Sequence, residues 1–76
     1  MEIVLEILSE IRPEFDFENS TNFIENGMLD SFDIITLVTE LDEKFDISID
    51  GLDILPENFN TLQQIRDLVI KSGGKL

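Results

Sequence analysis

Residues 23–33 read Phe-Ile-Glu-Asn-Gly-Met-Leu-Asp-Ser-Phe-Asp, and they combine a turn with the start of a helix. Asn26 and Gly27 form a strong turn signal because both residues tolerate positive φ. Asp30 is a good helix N-cap, since its carboxylate can accept hydrogen bonds from the unpaired N–H groups of the first turn. Asp33 stands where a capping box usually has Glu or Gln. A helix is therefore predicted to begin directly after Asp30.

Ser31 becomes the first residue of this helix, which leaves its hydroxyl free of capping duty. Backbone N–H groups and the helix dipole favour an added phosphate at this position. The hydroxyl therefore suits covalent attachment of a phosphate-linked group. On the local pattern alone, an ordinary helix serine is the preferred interpretation, because short motifs often match by chance.

The charge of the chain restricts its partners. Its 76 residues include 17 acidic and 5 basic ones, for a formal charge of −12. This length predicts one small domain over residues 1–76, with a limited core. So few basic residues argue against nucleic acid and against anionic membrane surfaces. Basic protein surfaces are the expected partners, with fast and salt-sensitive encounter, although the charge could serve solubility alone.

The sequence contains no cysteine and no histidine. This removes disulfides, thiolate nucleophiles, cysteine-based metal clusters and the usual general base at neutral pH. We therefore expect neither an enzyme nor a metal centre. No apolar run reaches the length of a membrane span, and the N-terminus lacks signal-peptide architecture, so we expect a cytoplasmic protein without stable membrane insertion. The sequence carries no signal of oligomerisation, and we expect a monomer.

A first helix is predicted at the N-terminus, ending before Pro13. Its core stripe consists of apolar residues at helical spacing: Ile3, Val4, Ile7, Leu8 and Ile11. From Pro13 to Asp30 the chain shows no sustained period, which makes a long connection for a small bundle. Phe15, Phe17 and Phe23 lie within it and predict an ordered loop packed against the core.

A second helix is predicted from about Ser31 to Phe45. A wheel of 3.6 residues per turn places these residues on or beside the core face: Ile34, Val38, Leu41 and Phe45, with Ile35 and Leu37 flanking. The other side is either a solvated surface or a docking surface, on which carboxylates steer basic partners and Phe32 supplies an apolar anchor. The predicted partner contacts are Phe32, Asp33, Thr36, Leu37, Glu40 and Glu43.

The segment after the second helix predicts an extended stretch, a turn and one helical turn, at Ile47–Ile49, Asp50-Gly51 and Pro56–Phe59. Thr61 opens the last helix through a capping box with Gln64, and Gly73-Gly74 end it. Its core stripe is Leu62, Ile65, Leu68 and Val69. The predicted fold is all-α: a small antiparallel bundle of three main helices plus a short third helical turn, with a long ordered first loop.

The run Gly27–Asp33, followed by an acidic helix that ends in Asp42–Phe45, resembles the acyl carrier protein family over nearly the whole chain. Phe23, Glu25 and Gly27 fit the family pattern ahead of its serine. The resemblance implies that a phosphopantetheinyl transferase moves 4′-phosphopantetheine from coenzyme A to Ser31. It also implies that Asp30 caps the helix and helps to hold magnesium during the transfer.

The same resemblance implies that the thiol of the arm holds an acyl or aminoacyl group as a thioester. The chemistry then belongs to partner enzymes with basic docking surfaces, namely a loading ligase and acyl-transferring enzymes. Leu29, Phe32 and Thr36 stand where fatty-acid carriers usually have Ala, Leu and Glu, which weakens a role in housekeeping fatty acid biosynthesis. The Gly27–Ser31 and Asn58–Thr61 patterns are closer to D-alanyl carriers for cell-wall polymers and other specialised stand-alone carriers.

Two interpretations of another class remain open. One is an EF-hand-like calcium loop, whose ligands would be Asp46, Ser48, Asp50, the Leu52 carbonyl and Glu57, with Gly51 at the turn. Asp53 at a normally aliphatic position, Pro56 just before the glutamate and the lack of a second loop count against it. The other is an unmodified acidic interaction module, in which Ser31 is inert.

Overall fold

A computed structural model describes residues 3–75 of the chain; residues 1, 2 and 76 of the predicted domain lie outside this range. Its three α-helices are α1 (Ile3–Ile11), α2 (Ser31–Phe45) and α3 (Leu62–Lys71). Two single turns of 3-10 helix, Gly51–Asp53 and Pro56–Asn58, connect α2 to α3. Within residues 3–75 there is no strand, and the predicted all-α fold is confirmed. The helical turn at Gly51–Asp53 stands where the sequence predicted only a turn.

All three helices and the first loop contribute to one core. Apolar side chains at helical spacing lose contact with water there, which is the main favourable contribution to folding. The buried members from the helices are Val4, Ile7, Leu8, Ile34, Leu37, Val38, Leu41, Ile65, Leu68 and Val69. Ile3, predicted in the core stripe of α1, is instead exposed.

The long first loop is ordered, as predicted. The buried rings of Phe17 and Phe23 pack edge to face, with 5.0 Å between their centroids. The Phe23 N–H donates to the Asn60 carbonyl (2.9 Å), which ties the loop to the segment before α3. Gly27 has a φ of +72°, and the following Met28 N–H donates back to the Phe23 carbonyl (2.8 Å). This hydrogen-bonded turn is followed, after Leu29, by Asp30 at the start of α2.

The core face of α2 differs from the prediction on its two flanks. Leu37 is 0% exposed, whereas Ile35 is 62% exposed. A helical wheel gives the angle between two residues but not which flank the neighbouring helices will cover. Because Leu37 joins Ile34 and Leu41 inside the core, its predicted place among the partner contacts is corrected: its side chain does not reach the surface.

Candidate functional site

Ser31 is exposed at the first position of α2. Asp30 before it has extended backbone (φ −115°, ψ −174°), and its Oδ1 accepts the Asp33 N–H at 2.9 Å. Asp33 Oδ2 in turn accepts the Asp30 N–H at 3.1 Å. The capping box is therefore complete with Asp in the place of Glu. Within residues 3–75 the Ser31 hydroxyl has no hydrogen-bond partner, so it is accessible at the positive end of the helix dipole.

Arg12, which the sequence reasoning did not single out, connects α1 to this site. Its Nε donates to Asp33 Oδ2 at 2.8 Å, and its Nη2 donates to Asp30 Oδ2 at 3.3 Å. Its Nη1 lies 3.5 Å from Glu14 Oε2. The signal in the sequence was that Arg12 is the only basic residue before Lys44. The sequence did not reveal that the end of α1 would meet the start of α2.

The electrostatics at this site favour the charged forms of Asp30 and Arg12. The pKa of Asp30 lies below its usual value, first because the carboxylate accepts the Asp33 backbone N–H and then because the Arg12 guanidinium is close. The hydrogen bond to Asp33 raises the pKa of Arg12. At neutral pH, Ser31 is therefore flanked by a carboxylate held to an arginine.

The surface next to Ser31 is partly apolar. Phe32 is 79% exposed and Ile35 lies one turn further along α2. Thr36 and Glu43 are exposed and Glu40 is half-buried, while the Thr36 hydroxyl donates to the Phe32 carbonyl (3.1 Å). The side chain of Asp33 is only 13% exposed and is occupied by Arg12. Of the predicted contacts, Leu37 does not reach the surface, and Asp33 has one oxygen, Oδ2, engaged by Arg12 and by the Asp30 N–H.

A cleft of about 230 Å³ lies between the 3-10 turns and α3. It is lined by Asp53, Asn58, Gln64, Asp67, Leu68 and Lys71. Lys71 and Asp53 form an ion pair across it at 2.9 Å. Five of these six side chains are polar or charged, and the sixth, Leu68, belongs to the buried core.

The residues of the alternative calcium loop do not form one. Asp50 Oδ1 accepts the Leu52 N–H at 2.9 Å and caps the first 3-10 turn. Only a 3-10 turn contains Glu57, where an EF-hand needs its second helix to begin. In the described part of the chain, no group of at least three acidic side chains could hold a metal ion. The ligand set of Asp46, Ser48, Asp50, Leu52 and Glu57 is therefore not supported.

No helix within residues 3–75 has both the length and the apolar character needed to cross a membrane.

A family model described as "Phosphopantetheine attachment site" matches residues 1–69. The matched range includes α1, the first loop, the whole of α2 and most of α3. No curated protein matches the chain, and no solved structure matches it.

Proposed function

We propose that this chain, which belongs to the phosphopantetheine attachment-site family and thus to the acyl carrier protein family, carries an acyl or aminoacyl group on an arm attached to Ser31. The cofactor of the family is 4′-phosphopantetheine, and its members are carriers that typically do not catalyse reactions themselves. When bound, the arm supplies a thiol on which the carried group forms a thioester. The attachment residue and the carried group are the parts that we propose.

The observation that supports Ser31 is the position of its hydroxyl. It is exposed, it directly follows the Asp30 cap and it has no hydrogen-bond partner within residues 3–75. Attachment requires a hydroxyl that an enzyme can reach, and a phosphodiester at the first position of a helix gains from the dipole. The residues at the start of α2 therefore fit the group that the family carries.

Carrier domains interact with a phosphopantetheinyl transferase and with the enzymes of their pathway. We propose that these enzymes bind a docking face formed by Phe32, Ile35, Thr36, Glu40 and Glu43. Phe32 and Ile35 supply exposed apolar area, which partners bury at the centre of an interface. The two glutamates attract basic partner surfaces before contact. Ile35 replaces Leu37, which the sequence had predicted as a partner contact but which is buried.

The carried group divides into two candidates, a specialised acyl chain and D-alanine. The Gly27–Ser31 and Asn58–Thr61 patterns are closer to D-alanyl carriers and other specialised carriers, and the departures at Leu29, Phe32 and Thr36 count against a housekeeping fatty-acid carrier. Incubating the modified protein with a D-alanine ligase and, separately, with acyl ligases distinguishes them. Loading by the D-alanine ligase alone supports the aminoacyl role, and loading by an acyl ligase alone supports the acyl role.

The attachment residue is tested with coenzyme A and a promiscuous phosphopantetheinyl transferase. Intact mass spectrometry is expected to show one phosphopantetheine added to the wild-type protein and none added to Ser31→Ala. Ser48→Ala, at another exposed serine, is the matched control and is expected to be modified like the wild type. An unchanged mass of the wild-type protein would favour the inert acidic module, and modification of Ser31→Ala would place the arm elsewhere.

The same assay tests the docking face. Glu40→Lys is expected to slow modification more at low salt than at high salt, because the long-range attraction of a basic enzyme is screened by ions. Glu6→Lys makes the same change of charge at an exposed position of α1. It is expected to slow modification less than Glu40→Lys does. Equal slowing by the two variants would mean that net charge, not this face, guides the enzyme.

A further inference from the structure

We propose that Arg12 is a positioning residue for Ser31, and that Asp33 serves this positioning rather than binding partner enzymes. The inference rests on the proposed function, because it concerns the rate at which Ser31 receives its arm. It assigns to α1 a role in a reaction that takes place on α2.

One guanidinium holds both carboxylates of the capping box. Asp33 Oδ2 accepts hydrogen bonds from Arg12 Nε and from the Asp30 N–H, at 2.8 and 3.1 Å. Asp30 divides its oxygens between the Asp33 N–H, at 2.9 Å, and Arg12 Nη2, at 3.3 Å. Two like charges three residues apart on a helix repel each other. Arg12 removes this repulsion and fixes both side chains in the geometry that caps α2.

The backbone of Arg12 is itself held in place. Its N–H donates to the carbonyl of Leu8 at 2.9 Å, which continues the hydrogen bonding of α1 by one residue. The side chain of Leu8 is fully buried, and Pro13 restricts the backbone immediately after the arginine. The side chain of Arg12 is 33% exposed, so its charge-assisted hydrogen bonds are only partly screened by water. Arg12 therefore links the end of α1 rigidly to the first turn of α2.

Ser31 lies between the two residues that Arg12 holds. Fixing Asp30 and Asp33 fixes the backbone of Ser31 and thereby the Cβ from which its hydroxyl is presented. Group transfer is sensitive to such placement, since a shift of about 1 Å can cost on the order of 100-fold in rate. The side chain of Asp33 is 13% exposed and its Oδ2 is held by Arg12 and by the Asp30 N–H, so its contribution is to hold the first turn of α2 in place.

The test compares Arg12→Gln with Lys71→Gln in the transferase assay with coenzyme A. Both variants remove one positive charge, but Arg12 pairs with Asp30, Asp33 and Glu14, whereas Lys71 pairs with Asp53 at the far end of α3. We expect Arg12→Gln to lower the kcat of the transferase roughly 10-fold, with little change in the KM for the carrier protein. Lys71→Gln is expected to behave as the wild type. Arg12→Lys keeps the charge without the planar fork and is expected to restore part of the rate. Circular dichroism at the assay temperature verifies that each variant is folded.

The rate of modification is expected to change in the opposite direction if Arg12 matters only through its charge. Removing a cation would strengthen attraction to a basic enzyme, so both glutamine variants would then react faster at low salt. Faster or unchanged modification of Arg12→Gln overturns the inference while leaving the proposed function intact, because the wild type is still modified. An unmodified wild type overturns the proposed function and this inference with it.

A second variant keeps the inference testable if Arg12→Gln does not fold. Asp33→Asn retains an oxygen for the Asp30 N–H but loses the charge that pairs with Arg12. It is expected to show the same loss in kcat, and the double variant Arg12→Gln/Asp33→Asn is expected to be no slower than either single one. Additive losses would show that the two residues act separately, which contradicts a shared positioning role.

Discussion

The starts of α2 and α3 share a capping motif but differ in chemistry. At α2, Asp30 and Asp33 are both carboxylates and are both bound to Arg12. At α3, Thr61 Oγ1 accepts the Gln64 N–H at 3.1 Å, and no charge is involved. The predicted box at α3 is only half correct, because Gln64 Oε1 accepts the N–H of Asn60 at 3.1 Å instead of that of Thr61.

The neutral start of α3 is also the anchor of the first loop. Asn60 accepts the Phe23 N–H on its carbonyl at 2.9 Å and the Ile24 N–H on its Oδ1 at 3.0 Å. The two helix starts therefore have different structural roles. The start of α3 uses uncharged hydrogen bonds to hold the loop, whereas the start of α2 uses an ionic cluster beside the exposed Ser31. Stability at α2 should therefore respond to pH, and stability at α3 should not.

The largest expected effect comes from Phe23, on which both helix starts depend. Its ring is fully buried, and its backbone joins Asn60 on one side and Met28 on the other. Phe23→Ala should lower the free energy of unfolding by about 3–5 kcal/mol, the usual cost of removing a buried phenylalanine ring. Chemical denaturation followed by circular dichroism measures the loss.

Phe15→Ala is the matched control for this substitution. Phe15 lies in the same loop and packs edge to face on Phe17, but it is only half-buried. It should lose clearly less stability, because less apolar area returns to water. Equal losses would show that the loop contributes through aromatic packing in general and that Phe23 has no special role in joining the two starts.

A smaller effect separates the two starts by their pH dependence. Asp30→Asn retains a good cap but removes the charge, and Thr61→Ala removes a neutral cap at a cost of about 1 kcal/mol. Because the fold lowers the pKa of Asp30, its ionised form contributes stability above the pKa of the unfolded chain. This contribution is lost as pH falls through the folded pKa.

Denaturation at pH 7 and at acidic pH checks this difference. The stability gap between wild type and Asp30→Asn should be present at neutral pH and should close below about pH 4, the ordinary pKa of aspartate. The gap for Thr61→Ala should stay constant over the same range. A constant gap for Asp30→Asn would mean that its charge does not stabilise α2, and the ionic description of that start would be wrong.

The smallest expected effect comes from giving the start of α3 a charged cap like that of α2. Thr61→Asp replaces a neutral cap by a charged one, which should stabilise the protein by roughly 0.5 kcal/mol at pH 7. The gain should vanish on acidification, when the new carboxylate is protonated. Thr61→Asn is the uncharged control and should show no such loss. A gain that persists at acidic pH would contradict an electrostatic origin.

Much of the local structure was predictable because it depends on neighbouring residues. The start of α2 at Ser31 followed from Asp30, and its end at Phe45 is observed as predicted. The packed loop followed from its phenylalanines. Arg12 was not predictable, because its partners lie 18 and 21 residues away in the chain. The prediction of Leu37 as a surface contact was wrong for a related reason. Whether Leu37 or Ile35 is buried depends on where the neighbouring helices pack.

The sequence by itself determined where α2 and α3 begin, that the chain is strongly acidic, and that a serine follows a capping aspartate. These properties depend on short-range sterics, backbone hydrogen bonding and composition. Only the tertiary structure decided which apolar flank of α2 is covered and that the arginine directly after α1 binds both carboxylates beside Ser31. Such contacts depend on how separate helices pack, and the packing direction is not contained in the pattern of any one helix.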